Sequence, residues 1–314
     1  MCTALKHGHF FGRNLDYESS YGEQVTITPR HFNYQFRFTK VKAKYALIGM
    51  AHIYENYPLY YDAMNEKGLS IAGLNFVGNT KFYEMDLNKE NVAPFEFIPW
   101  LLCQCQDLKE VKEKLQQINL VNEAFNAYFP IASLHYMVSD LDGSIVIECM
   151  EDGMHIHENP THVLSNNPPF PYQQFNLNNY MHLSSKQPEN HFDSIDLAPY
   201  SRGMGAIGLP GDASSMSRFV RASFLASQSK IHDSNQFFHL LHAVEQVKGI
   251  CEVKENTYEY TIYTSCCDQK EMIYYYTTYN NHQINAVHLF HENLDENKLI
   301  AYPLNNNEQI NSQN

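Results

Sequence analysis

The order in which hydrophobic periodicities follow one another constrains this chain more than any other feature of its sequence. The first third reads as short strands at Cys2–Lys6, His9–Arg13, Gln24–Pro29, Tyr45–His52, Leu59–Ala63 and Leu69–Phe76, separated by Gly, Asn and charged turns. A compact apolar stretch follows over Pro94–Cys103. Next comes Asp107–Ile118, with Leu108, Val111, Leu115 and Ile118 at helical spacing as its buried stripe. A second strand group covers Ser133–Asp140, Ser144–Met150 and Met154–Glu158, with Asp142-Gly143 turning the first pair. Thr161–Tyr172, rich in Asn and Pro, reads as a loop. Helices are expected at Ser217–Ser229 and Asn235–Val247, the second capped by Asp233-Ser234. Strands at Tyr258–Cys266, Met272–Thr278, Ile284–Leu289 and Leu299–Tyr302 close the chain, before a polar tail, Asn305–Asn314, expected to fray.

Strands, helices, strands, helices, strands is not the regular alternation of a parallel doubly wound sheet. The order predicts an α+β fold of two mostly antiparallel sheets with helices outside them, in four αββα layers. No linker and no internal repeat interrupts it, so residues 1–314 are read as a single domain, long enough for an ample core. The 22 tyrosines and 19 phenylalanines, against one tryptophan (Trp100), agree with abundant strand.

Charge narrows the partners. A net charge of −13 argues against nucleic acid and against an anionic membrane surface. Any anionic substrate must be recruited by local Arg or Lys. No apolar run approaches the ~18 residues that span a bilayer, and polar residues begin at Lys6, so a cytoplasmic protein is expected. Seven cysteines without framework spacing fit a reducing compartment better than a disulfide scaffold.

Chemistry is concentrated at the start. The chain begins Met1-Cys2-Thr3 and reads Gly12-Arg13-Asn14-Leu15-Asp16 soon after. If Met1 is removed, Cys2 carries a thiol and a free α-amine on one carbon. A thiol attacks as thiolate and needs a base or a positive neighbour. An α-amine, ordinarily titrating at roughly 7.7–8.0, can take that proton near neutral pH. Arg13 is placed to stabilise the thiolate and Asp16 to hold the amine. Many chains start Met-Cys by chance, so the dipeptide alone decides nothing.

Other motifs are weaker. Gly203-Met204-Gly205-Ala206-Ile207-Gly208 matches G-x-G-x-x-G, but Pro199–Arg202 before it and Leu209–Asp212 after it fit neither the strand nor the helix that a dinucleotide site requires. A loop bordering a pocket is the better reading. His7/His9 and His155/His157 lack evident third and fourth ligands, so no metal is assigned. Cys103, Cys105, Cys149, Cys251, Cys266 and Cys267 read as small buried hydrophobes. Three polar residues sit in unusual settings: Asn75 closes an apolar strand, Asn166 follows one, and Arg218 lies near the start of a helix, against its dipole. Asparagines at strand ends suit oxyanion or substrate hydrogen bonding, although each alone is more often a turn or cap residue.

Together these segments resemble the choloylglycine hydrolase family over essentially the whole chain. The landmarks are Met-Cys-Thr at 1–3, Gly-Arg-Asn-Leu-Asp at 12–16, Met-Asn-Glu-Lys-Gly-Leu at 64–69 and Ala-Gly-Leu-Asn-Phe at 72–76. They continue with Leu-Ser-Asn-Asn-Pro at 164–168, Gly-Leu-Pro-Gly-Asp at 208–212 and Ser-Arg-Phe at 217–219. The resemblance implies an N-terminal-nucleophile hydrolase with Cys2 as nucleophile and its own amine as base. It places Arg13 and Asp16 beside thiol and amine, gives Asn75 and Asn166 the oxyanion hole and amide, and has Arg218 organise the thiolate. It implies no metal or cofactor, taurine- and glycine-conjugated bile salts as substrates, and a homotetramer.

Penicillin V acylases share this machinery and are the alternative activity; they tend to carry Tyr where this chain has Asn75. Ser201-Arg202-Gly203 resembles a selectivity loop that accompanies taurine preference, so Ser201 and Arg202 are candidate substrate-binding residues, a guanidinium suiting a sulfonate. From a different class, a non-catalytic binding protein of the same fold would be expected to have lost some of Cys2, Arg13, Asp16, Asn75, Asn166 and Arg218; all six are present. The first hairpin, through Lys6-His7-Gly8-His9, is a few residues shorter than is usual in the family. Strand faces alternate with period two, so the catalytic ends stay in register only if an even number is lost or a bulge compensates.

Overall fold

The computed structural model describes residues 1–230 and 232–314. Two antiparallel sheets are packed face to face, as the order of elements predicts. The seven-stranded sheet runs Val163–Leu164, Cys2–His7 (β1), Phe10–Tyr17 (β2), Thr257–Asp268, Ile273–Thr278 and Asn281–His288, with Cys251–Lys254 also paired to Thr257–Asp268. The eight-stranded sheet runs Gly153–Glu158, Ser144–Met150, Leu134–Ser139, Ser70–Asn75, Tyr57–Asn65, Leu47–Tyr54, Gln24–Thr28 and Ile300–Pro303.

Alternation along the strands assigns each residue to a layer. In the eight-stranded sheet Ile48, Met50, Met64, Ala72, Leu74 and Val146 point to the first sheet and share its core. Leu47, Ala63, Ile71, Ile145 and Ile147 point outward, where the helices Phe97–Leu102 and Leu108–Leu115 cover them. On the far side Phe219, Phe237, Leu240 and Leu241, from helices Ser215–Gln228 and Ser234–His242, cover the seven-stranded sheet. Strands buried on both faces explain why several read as near-continuous apolar runs.

Local differences from the sequence expectation have physical causes. The helix beginning after its Asp107 N-cap stops at Leu115, and Ile118 belongs to a short strand, Ile118–Leu120, pairing in parallel with Glu90–Val92. The segment expected to be loop over 161–172 holds strand Val163–Leu164 and the start of helix Phe170–Asn176, because the two apolar residues pair with Ala4 and Leu5 at the sheet edge. Asp233 caps its helix, accepting from the Gln236 N–H, but that helix ends at His242. Gly203–Gly208 forms only a single turn of 3-10 helix over Met204–Ala206.

The short first hairpin keeps its register. Cys2 pairs with Leu15, Ala4 with Arg13 and His7 with Phe10, without a bulge, around the two-residue turn Gly8-His9. Gly12 is required by close approach, since a Cβ there would sit 1.9 Å from the Ser265 carbonyl oxygen of the neighbouring strand. No helix among the described residues is long and apolar enough to cross a membrane.

Candidate active site

Register alone divides the first residues between two faces. Cys2, Ala4, Arg13 and Leu15 share the face turned to the eight-stranded sheet, whereas Thr3, Asn14 and Asp16 face the helices. Asn14 accordingly donates to the Leu241 carbonyl, 2.9 Å away in helix Ser234–His242. The thiol and the groups around the Cys2 nitrogen are thus addressed from opposite sides of one strand.

On the sheet side, Arg13 Nη2 lies 2.5 Å from Cys2 Sγ, and Arg13 Nη1 donates to the carbonyls of Gly73 (2.5 Å) and Tyr61 (3.3 Å). The guanidinium is buried. Desolvation works against its charge, but Cys2, Tyr263, Asp62 and Asp16 more than offset this and raise its pKa above the ordinary value. Asp62 is a site residue the sequence reading missed. Fully buried, it accepts from Tyr263 and Tyr274 hydroxyls at 2.6 Å each and from Ser265 Oγ at 3.1 Å, and Ser265 Oγ in turn accepts the Arg13 N–H. Burial raises the Asp62 pKa against the pull of Arg13 and these hydroxyls. A charged residue inside the buried half of Tyr57–Asn65 was the available signal.

On the helix side, Arg218 is wholly buried and donates to the Cys2 carbonyl (2.6 Å), Thr3 Oγ1 (2.5 Å) and Asn166 Oδ1 (2.8 Å). Its hydrogen bonds go to the Cys2 backbone and that residue's neighbours and not to the thiol, because strand alternation turns the thiol away from the helix that carries the guanidinium. Asn166 Oδ1 also accepts the Cys2 N–H at 2.7 Å, and its Nδ2 donates to the Asn75 carbonyl at 2.7 Å. Asp16 Oδ1 accepts from Thr261 Oγ1 at 2.6 Å, while Oδ2 is buried without a hydrogen bond, 3.8 Å from Arg218 Nη1. Burial raises the Asp16 pKa, opposed by Arg218, the chain's ammonium, Thr261 and Arg13.

Cys2, Arg13, Asp16 and Asn75 line a cavity of about 460 Å³ whose walls are mostly apolar and aromatic, including Leu59, Tyr61, Phe95, Phe125, Phe129 and Ile131. Phe95, Phe125 and Phe129 meet edge to face, with Tyr54 and Tyr57 behind them. Ser201 and Arg202 are exposed on a loop and do not line this cavity. Of the other cysteines, Cys103, Cys105, Cys149, Cys266 and Cys267 are buried with pKa values raised by burial, as expected; Cys251 is half-buried at an outer strand, which corrects its reading as buried. Among the described residues no group of three or more His, Cys, Asp or Glu side chains is arranged to hold a metal ion.

A sandwich of antiparallel sheets with a cysteine heading an inner strand is the N-terminal-nucleophile hydrolase fold. Residues 2–302 match the linear amide C–N hydrolases of the choloylglycine hydrolase family, and the chain belongs to that family as an amide hydrolase. It is 53% identical to a bile salt hydrolase/transferase of Lactiplantibacillus plantarum over 98% of each chain. It is 38% identical to a bile salt hydrolase/transferase of Clostridium perfringens over the whole of both. The crystal structure of a C2A mutant of conjugated bile acid hydrolase from Clostridium perfringens superposes over all of both chains with a TM-score of 0.95 at 36% identity. A penicillin V acylase from Agrobacterium tumefaciens, 19% identical over 96% of this chain and 90% of its own with a TM-score of 0.74, shares the fold.

Proposed function

We propose that this protein hydrolyses the amide bond of bile salts conjugated to taurine or glycine, with Cys2 as nucleophile once Met1 has been removed. The observation that carries this is the Cys2 thiol, held under Arg13 in the floor of a cavity walled by aromatic rings. A flat apolar acyl group would bury there, leaving its amide carbonyl at the thiol. Full-length similarity to bile salt hydrolases supports the choice of substrate.

The reaction is an acyl transfer in two halves. The α-amine of Cys2 takes the thiol proton; the thiolate attacks the amide carbonyl, and the tetrahedral oxyanion forms beside Asn75. The amine returns the proton to the leaving nitrogen as the C–N bond breaks, releasing taurine or glycine and leaving a thioester. Water, deprotonated by the same amine, then hydrolyses the thioester and restores the thiol. Asn166 already spends its amide on the Cys2 nitrogen, Arg218 and Asn75, so it orients the base and the oxyanion role falls to Asn75. Asp16 Oδ2, which accepts no hydrogen bond, is suited to one from an α-ammonium.

Amine release from taurocholate, glycocholate and penicillin V, side by side with Cys2→Ser, tests this. Turnover of the bile salts, abolished in the variant, is expected; turnover of penicillin V alone would replace the substrate assignment. The same assay with Arg202→Gly tests taurine preference. Because Ser201 and Arg202 lie outside the cavity wall, an unchanged taurine-to-glycine ratio would remove them from substrate binding. We further propose a single cytoplasmic domain assembled as a homotetramer, which sedimentation as a monomer would refute.

A further inference from the structure

Behind the two asparagines lies a buried charge pair that none of these steps uses. His135, on strand Leu134–Ser139, and Glu148, on strand Ser144–Met150, are both without solvent exposure. His135 Nδ1 is 3.0 Å from Glu148 Oε1, and Nε2 is 2.8 Å from the Ser165 carbonyl oxygen. A carbonyl only accepts, and so does an ionised carboxylate, so each ring nitrogen is set against an acceptor. Burial alone would raise the Glu148 pKa, but the hydrogen bonds from His135 and the Phe170 N–H, with His157 Nε2 3.6 Å away, hold it at about 2, so the carboxylate is ionised.

The contacts of this pair lead to both catalytic arms. Ser165 immediately precedes Asn166. The His135 ring lies flat on Phe76, 4.2 Å between centroids and 7° from parallel, and Phe76 immediately follows Asn75. Glu148 accepts the Phe170 N–H at 2.9 Å, which ties down the far side of the Asn166–Pro168 turn. Gln173 completes the clamp: its amide nitrogen donates to the Asn166 and Pro168 carbonyls, and its oxygen accepts from Ser165 Oγ.

We propose that the His135–Glu148 pair is a positioning device that sets Asn75 and Asn166 relative to Cys2. His135 touches neither the thiol nor the cavity and acts through Ser165 and Phe76. A buried ion pair gains little stability, because desolvation offsets its attraction. What it supplies here is direction: a hydrogen bond fixes the Ser165 carbonyl, and the ring plane fixes Phe76. The proposal rests on the reading of Cys2, Asn75 and Asn166 given above.

His135→Phe keeps the ring stack and removes both hydrogen bonds, whereas His135→Gln keeps a donor for the Ser165 carbonyl. Three quantities are compared with wild type: kcat and KM on the best amide substrate, the rate of Cys2 alkylation by iodoacetamide, and the melting temperature. Alkylation needs the thiol but no oxyanion donor. His135→Phe is expected to lower kcat by about 10- to 100-fold while KM and alkylation change by less than about three-fold, with His135→Gln recovering most of the loss. An unchanged kcat overturns the proposal, and so do kcat, alkylation and melting temperature falling together. Should His135→Phe fail to fold, Glu148→Asp, which shortens the carboxylate arm by one methylene, is read the same way. A crystal structure of the variant decides without turnover: Asn166 Oδ1 displaced from the Cys2 nitrogen supports the device, and an undisplaced Asn166 refutes it. An inactive wild type would sink the substrate reading and leave this structural readout to judge the pair.

Discussion

Arg13 reaches the Cys2 thiol at 2.5 Å because the hairpin between them turns in two residues and pairs Ala4 with Arg13 and Cys2 with Leu15. The same guanidinium ties the seven-stranded sheet to the eight-stranded one through the Gly73 and Tyr61 carbonyls. One side chain thus reaches the Cys2 thiol and bridges the two sheets beside it.

Arg13→Lys tests this double role. An ammonium keeps the charge but loses the planar fork that serves the thiol and two carbonyls together. The variant is expected to fold and to lose about 10- to 100-fold in kcat, with slower alkylation of Cys2. Wild-type kcat and alkylation rate in Arg13→Lys would show that charge alone suffices.

Met1 is held in the folded chain just ahead of strand Cys2–His7. Its ammonium donates to the Asp16 carbonyl at 2.8 Å and pairs with Glu259 at 2.8 Å, and its carbonyl accepts the Asp16 N–H at 2.9 Å. With Met1 in place the Cys2 nitrogen is an amide and cannot act as a base. Enzyme retaining Met1 is expected to be at least about 100-fold less active than enzyme lacking it. Intact mass of an active preparation checks this, and full activity with Met1 retained would exclude the α-amine.

On the proposed function, the aromatic wall is expected to carry binding rather than chemistry. Phe129 lines the cavity and packs edge to face on Phe125 and Tyr54. Phe129→Ala is expected to raise KM for conjugated bile salts about 10-fold and to leave kcat within about two-fold, since it removes contacts equal in ground and transition states. A kcat effect without a KM effect would place Phe129 nearer the reacting amide.

Glu148 gives the stability a defined acid dependence. Its folded pKa of about 2 lies below the ordinary 4.5, so its contribution is complete above the ordinary value and lost as pH falls toward 2. The stability difference between wild type and Glu148→Gln, from denaturant melts, is expected to be constant above about pH 6 and to shrink steadily below about pH 4. A difference that stays constant down to about pH 3 would contradict the shift.

Much of the fold was legible in the strand and helix periodicities, because alternation of apolar residues reports which face is buried wherever the burial is local. The short strand Val163–Leu164 was missed for the opposite reason. Two residues carry no periodicity, and only their pairing with Ala4 and Leu5 makes them a strand.

The sequence by itself determined the residue types of the candidate site and most of the layers that carry them. Cys2, Arg13, Asp16, Asn75, Asn166 and Arg218 could be picked out, since motif order survives without coordinates. Only the tertiary structure decided which group addresses which atom. Strand alternation sends the Cys2 thiol to Arg13 and turns it from Arg218, which holds the backbone instead. It also brought in Asp62, His135 and Glu148, whose charges make sense only against partners far away in the chain. Local pattern encodes burial, but the pairing of buried charges is a property of the assembled sheets.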